Sequence, residues 1–327
     1  MEVTPLTTAS TTEQDILSTP DILRQTLARV DAEGGALASL LTGPAAFLGC
    51  GSSHCIALSA AALYEETRGM PAQGVMASEY RPRPAWAHVA ISRTGRTTEL
   101  VEALRRARGA GARVGLVRGE PGSPVEAEAA IVLPLEFAPE EGVVQTRFIA
   151  AALLALRALI GGAAARAELD DLPDRVEEGI AAFDPAPLAR FDHMVFLGRG
   201  WRYGVAALAA LNLQETALMV PEGHQTLEYR HGPISSADAR TLVWCFDPRD
   251  DDVSGAVLED VRRTGATVYQ PGVDPLVAAA QAQLLAVRLA AARGVDPDAP
   301  RHLSRAIVLP GSAPATMSPG SGPAQKV

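Results

Sequence analysis

Lysine is all but absent from this chain. The only one among 327 residues is Lys326, in a Pro/Gly/Ser-rich stretch at the end of the sequence, so a lysine Schiff base, including the pyridoxal phosphate kind, has no residue placed to form it. Cysteine is scarce as well. Cys50, Cys55 and Cys245 are odd in number, lie in apolar or glycine-rich surroundings and show no metal-ligand spacing, which fits a reduced, cytoplasmic protein. Basic runs are missing and the net charge is -9, which removes nucleic-acid and membrane-surface roles. Single arginines still suit an anionic small molecule. The opening MEVTPLTTASTTEQD lacks the basic-then-apolar order of a signal peptide, and Arg, Glu or Gly interrupts the apolar runs before spanning length, so no transmembrane helix is expected. His54, His88, His193, His224 and His302 show no zinc spacing, so neither metal nor cofactor is expected.

What the chain does have is apolar material, 47% of residues against 20% charged, enough for one large α/β domain or two of ordinary size. Residues 1 to about 18 are polar and expected to be loose, and TPDILRQTLARVD then reads as a helix with proline in its first turn. Short apolar strands alternate with helical stretches after that. Strands are expected at 45–49, 88–92, 113–117 and 129–135, with helices over 53–67, 96–108 and 144–161. A helical connection follows, and the pattern restarts with strands at 193–198, 239–246 and 266–270 and helices over 201–217, 253–265 and 274–293. Such alternation implies parallel, doubly wound sheets.

The restart is a repeat. Phe47-Leu48-Gly49-Cys50-Gly51 matches Phe196-Leu197-Gly198-Arg199-Gly200, 149 residues on. The same offset joins the EYR triplets that begin at Glu79 and Glu228, and pairs Glu66 with Glu215. One offset shared by two tripeptides and a helix-borne glutamate indicates tandem duplication.

Each repeat runs strand, Gly-x-Gly, helix. The third glycine of a dinucleotide fingerprint and an acid for the ribose are both missing, which argues against nicotinamide binding. ISRTGRTTEL is the stronger element. Ser92, Thr94, Thr97 and Thr98 gather around Gly95 between a strand and a helix start, where hydroxyls, amides and the helix dipole together suit a phosphate monoester. Plain N-capping needs one hydroxyl rather than four.

These residues resemble the tandem sugar isomerase (SIS) family. That family includes the isomerase half of glucosamine-6-phosphate synthase, the amino-sugar-phosphate isomerase/deaminases and the fructosamine-6-phosphate deglycases. GCGSSH, ASEYR, ISRTGRTTELVEALR, EEGVVQTRF, FLGRGWRYGVAALAALNLQE, EYRHGP and PRHLSRAIVLP carry the likeness, from about Ile22 to Leu309. The resemblance implies two tandem SIS domains, 19–165 and 166–309, between a flexible stretch over 1–18 and a disordered tail over 310–327. It places Ser53, Ser92, Arg93, Thr94 and Thr97 in the sugar-phosphate pocket, with Val143 and Gln145 on the loop that closes over the sugar. Glu215 falls on the proton-moving acid/base. His231 falls on the ring-opening residue, which the family takes from the neighbouring subunit, so a homodimer with shared active sites is implied.

Two departures from the synthase matter. Asn212 and Arg305 stand where it has lysines, and Arg305 can hold an anion or hydroxyl but cannot form a Schiff base. Only about 45 residues precede FLGCG, so the expectation is that no glutaminase domain, and no glutamine-dependent synthesis, belongs to this chain. A Glu and a His suffice where the substrate nitrogen supplies its own iminium. Deaminase or deglycase chemistry on an amino-substituted hexose 6-phosphate is therefore expected, with plain ketose–aldose isomerisation open. Glu228, Arg230, Glu79 and Arg81 are expected to brace loops, and His54 and His302 to lie near the pocket. The rival class is a non-catalytic sugar-phosphate sensor. It is disfavoured because Glu215 and His231 are both present, and because the first 40 residues are expected to hold at most one helix, too little for a helix-turn-helix.

Overall fold

The structure, a computed structural model, describes residues 9–309; the tail expected over 310–327, with Lys326, lies outside the described residues, as do residues 1–8. The chain opens with α1 (Thr11–Leu17) and α2 (Thr19–Ala38). The first half continues as β1 (Ala45–Gly49), α3 (Ser52–Arg68), β2 (Ala72–Met76), β3 (Ala87–Ser92), α4 (Thr98–Gly109), β4 (Arg113–Arg118), β5 (Ile131–Pro134) and α5 (Arg147–Glu168). After α6 (Leu172–Ala181) come β6 (His193–Gly198), α7 (Arg202–Ala217), β7 (Glu222–Gln225), β8 (Thr241–Cys245), α8 (Asp252–Arg263), β9 (Thr267–Tyr269) and α9 (Pro275–Ala292).

Two all-parallel sheets result, in the orders β2-β1-β3-β4-β5 and β7-β6-β8-β9. The central strands AAFLG and AHVAIS are buried along their whole length, as strands covered by helices on both faces must be. In this strand order the chain reverses direction across the sheet between β1 and β3, which opens a crevice beyond their carboxyl ends. The Gly-x-Gly loop and the Ser92–Thr98 loop both empty into that crevice.

Three expectations are corrected. Residues 11–17 are helical, not loose, and the first 40 residues hold two helices. Ser10 accepts from the Glu13 N–H at 3.1 Å, and the Asp298 carboxylate takes the Thr11 N–H at 2.7 Å and the Thr12 N–H at 2.8 Å. That anchor lies 287 residues away, so no local pattern announces it. Second, β2 and β7 were not anticipated. They are short, half-buried edge strands that carry glycine and polar residues in place of an apolar run, and they occupy the same place in each half. Third, the apolar runs of α5 and α9 are not broken short: both helices are long and apolar enough to cross a bilayer by length and hydropathy. Both are mostly buried inside the protein, α5 against α2 and α3 and α9 against α7 and α6.

One core runs through both halves, joining Phe47, Ile56 and Leu154 to Leu208, Trp244 and Leu285. Its tightest point is the crossing of α3 and α7. A Cβ on Gly204 would run into the Cys55 carbonyl and the Ser59 hydroxyl, and Cys55 is the counterpart of Gly204 at the repeat offset. The two equivalent helices thus touch backbone to backbone at equivalent positions. The segment after α9 returns to the first half, where Ile307 accepts from the Thr98 N–H at 3.1 Å.

Gly204→Ala gains about 1 kcal/mol of helix propensity. The overlap with backbone cannot be relieved by rotating a side chain, and overpacking of this kind costs about 1–3 kcal/mol. We expect a net loss of up to about 2 kcal/mol in denaturant unfolding; a raised midpoint would contradict the packing account.

Candidate active site

The loop after β3 builds a cradle. Gly95 takes a left-handed φ of 62° that turns the chain back on itself, and its N–H donates to the Ser92 hydroxyl at 2.9 Å. Thr97 is the N-cap of α4, yet its side chain makes no capping bond. The Thr97 hydroxyl is therefore not consumed in ending the helix, whereas the Ser92 and Thr94 hydroxyls accept from the Gly95 and Arg96 N–H groups and keep their own protons to donate. Ser53, from the start of α3, joins Ser92, Thr94 and Thr97 in lining one pocket, together with Cys50, Arg93, Gln145 and Arg305. Thr98 faces elsewhere, its hydroxyl accepting from the Leu309 N–H at 3.0 Å.

Arg93 and Arg305 line the pocket but spend their guanidinium groups on the loop above it. Arg93 donates to the Glu140 carboxylate at 2.9 Å and to the carbonyls of Gly142 at 3.1 Å and Val143 at 2.9 Å. Its Nε is buried and has no hydrogen-bond partner among the described residues. Arg305 grips the same loop from the other side, through the carbonyls of Glu140, Glu141 and Gly142, and pairs with Glu120 at 2.8 Å. Glu140 was not singled out from the sequence. Its buried carboxylate also takes the Thr146 N–H at 2.6 Å, the Thr146 hydroxyl at 3.1 Å and the Phe148 N–H at 3.1 Å, so it supplies the cap for α5. Val143 contributes its carbonyl to this bracing, and Gln145 reaches the pocket with its Oε1 buried and unpartnered.

Glu215 approaches from the second half. It lies in the last turn of α7, close enough to Cys55 on α3 that burial and then its charge push that thiol up to about 12. Burial raises the Glu215 carboxyl itself from the usual range near 4.5 to about 7, while the Asn212 amide and the Arg93 charge pull it down. A carboxyl that changes state near neutrality, facing the arginine of the cradle, is suited to give and take protons. His231 is not brought to this site within one chain. It sits exposed in the short 3-10 turn Glu228–His231, with no side-chain partner among the described residues. Of the bracing residues expected around it, Arg230 pairs with Asp260 at 3.2 Å. His302 is exposed, and burial lowers His54 from its ordinary value.

Residues 44–161 match the SIS domain. The first half of the chain therefore carries a SIS domain. It is 30% identical over 91% of its length to a glutamine–fructose-6-phosphate aminotransferase of Xylella fastidiosa, covering 58% of that protein. The relative from Caulobacter vibrioides is covered over 51%, so the chain spans little more than half the length of these curated relatives. Among solved structures it resembles glucosamine-6-phosphate deaminase from Thermotoga maritima, with a TM-score of 0.76, 27% identity, and coverage of 92% of this chain and 100% of that one. The C-terminal domain of glucosamine-fructose-6-phosphate aminotransferase from Francisella tularensis shares the fold, at a TM-score of 0.77 and 22% identity over 90% of this chain and 99% of that one.

Beyond the SIS domain match, the second sheet repeats the first cradle's place but not its chemistry. Ala45 pairs with Ala87, and Met194, 149 residues after Ala45, pairs with Leu242, so Ser92 corresponds to Asp247. The Asp247 carboxylate is buried and takes the Arg199 N–H at 2.7 Å, the Thr226 hydroxyl at 2.6 Å and the Ser254 hydroxyl at 2.7 Å. An internal anion occupies the position where the first half presents a hydroxyl to its pocket.

The raised Glu215 carboxyl is paid for in stability. Between the unfolded value near 4.5 and the folded value near 7, the folded state holds a proton that the unfolded state has released, so stability falls as pH rises through this window. Glu215→Gln removes that loss. The variant should be more stable than the parent by about 3 kcal/mol at pH 8 and nearly equal to it at pH 4. Thermal or urea unfolding at the two pH values checks this.

Proposed function

We propose that the chain is a tandem of two SIS-type halves that form one phosphosugar enzyme, acting on an amino-substituted hexose 6-phosphate with Glu215 as the acid/base. The observation that carries this reading is a carboxyl poised near 7 that feels the charge of Arg93, an arginine lining a pocket rich in Ser and Thr hydroxyls. The 149-residue offset, shared by the loops and by the sheet positions of β2 and β7, supports the tandem. The names of the Thermotoga deaminase and of the aminotransferase relatives support a nitrogen-bearing sugar phosphate.

In this reading the phosphate sits among Ser53, Ser92, Thr94 and Thr97, at the start of α4, and the open-chain sugar runs toward Glu215. The carboxylate takes the C2 proton of a 2-amino sugar, the C–H electrons close the C1–C2 double bond as the C1 carbonyl oxygen takes a proton from water, and the carboxyl of Glu215 then returns its proton to C1, leaving a C2 iminium and hydroxide. Water then adds to the C2 iminium and ammonia leaves. No lysine enters, because the substrate nitrogen supplies the iminium. For a ketosamine the same carboxyl acts in the reverse sense. His231, exposed in its own chain, supplies ring opening to a partner subunit's site in a homodimer.

Incubation with hexosamine 6-phosphates and fructosamine 6-phosphates, assayed for free amine and hexose phosphate, tests this. Amine release is expected, with kcat/KM rising with pH through about 7 as Glu215 deprotonates and falling about 10²- to 10⁴-fold in Glu215→Gln. Ketose–aldose conversion without amine release would move the assignment to an isomerase. Tight binding without turnover would overturn the enzyme reading in favour of a sensor.

A further inference from the structure

Helix α9 is among the most apolar in the chain, yet it buries two glutamines, Gln281 and Gln283, at 7% and 6% exposure. An amide in such a place costs free energy unless its bonds are made. Gln281 braces the second half internally, donating to the Gly179 carbonyl at 2.9 Å at the end of α6. Gln283 points the other way, and its Nε2 donates to the Asn212 Oδ1 at 3.0 Å. Asn212 is itself 1% exposed and lies on α7 one turn before Glu215, on the same face.

An amide has one acceptor end and one donor end. Because Gln283 occupies the oxygen of Asn212, its nitrogen must face away from α9, and it does: Nδ2 donates toward the Gln145 carbonyl at 3.4 Å and lies on the side of the Glu215 carboxyl. We propose that Gln283 is a positioning residue, which fixes the flip of the Asn212 amide so that its N–H groups, and not its oxygen, face the Glu215 carboxyl and the loop carrying Gln145. Two helices and the pocket loop are thereby tied to one orientation of one amide. The other groups facing the carboxyl are Arg93 from the loop after β3 and Cys55 from α3, whose thiol stays protonated. Arg93 is already bound to Glu140, so the Asn212 amide is the donor whose direction a neighbour can reverse. The catalytic consequence rests on the acid/base role of Glu215 proposed above; the orientation itself does not.

The test follows the Glu215 carboxyl directly, by ¹³C NMR of the full-length protein labelled at glutamate Cδ, with the resonance identified by its loss in Glu215→Gln. Gln283→Leu removes the donor that holds the Asn212 oxygen. Gln283→Glu replaces it with an acceptor that pulls the nitrogen round and turns the oxygen toward Glu215. In both variants the midpoint should move up by about half a pH unit or more, roughly a threefold gain in proton affinity. Gln281→Leu, the packing control, should leave it in place. An unchanged or lowered midpoint in the folded Gln283 variants, or an equal rise in Gln281→Leu, would overturn the proposal. Upward shifts in a protein that turns over no sugar phosphate would uphold the positioning role and sink only the enzymatic reading.

Discussion

The backbone contact between α3 and α7 at Gly204 governs the rest of the structure. Each of these helices starts at a Gly-x-Gly loop in its own half, and each ends near a glutamate at the same repeat position, Glu66 or Glu215. Pressing them together at equivalent residues, Cys55 and Gly204, sends the end of each helix toward the other half's loop. Glu215 therefore arrives beside Cys55 and the Arg93 of the first cradle. Glu66, by the same geometry, lies against Gly200 in the second. No side chain larger than hydrogen at position 204 allows that approach without separating the helices.

Near-symmetry of backbone has been broken by chemistry. In the first half the position after the central strand is Ser92, whose hydroxyl opens on a pocket. In the second it is Asp247, held by three donors in the interior. The result is one pocket lined by hydroxyls and one equivalent position filled by the protein's own carboxylate. The loop over the open site is held by two arginines and Glu140, so the positive charge lining the pocket organises protein before it meets ligand. That arrangement preorganises the cradle and leaves its Ser and Thr hydroxyls lining the pocket.

Much of this was legible in the sequence, for physical reasons that differ between elements. Buried parallel strands such as AAFLG and AHVAIS announce themselves as apolar runs, and the 149-residue offset survives wherever both halves need the same turn. Seven of the expected pocket residues, from Ser53 to Arg305, line one cavity. What stayed hidden depends on partners far along the chain. α1 is held by Asp298, Arg305 by loop carbonyls more than 160 residues away, and Asn212 by Gln283. Edge strands β2 and β7 leave no apolar run in the sequence because they are only half-buried and carry glycine and polar residues. The departure of Asn212 from the synthase pattern was seen, but the reason for its amide lies in a helix that looks merely apolar.

The account stands or falls on a single composite site per chain, with the first cradle open and the second closed by Asp247. Isothermal titration of the protein with a hexose 6-phosphate, in parallel with a Ser92→Ala/Thr94→Val double variant, tests it most directly. One molecule bound per chain, with binding lost in the double variant, is the predicted result. Two per chain, or binding indifferent to Ser92 and Thr94, would contradict it.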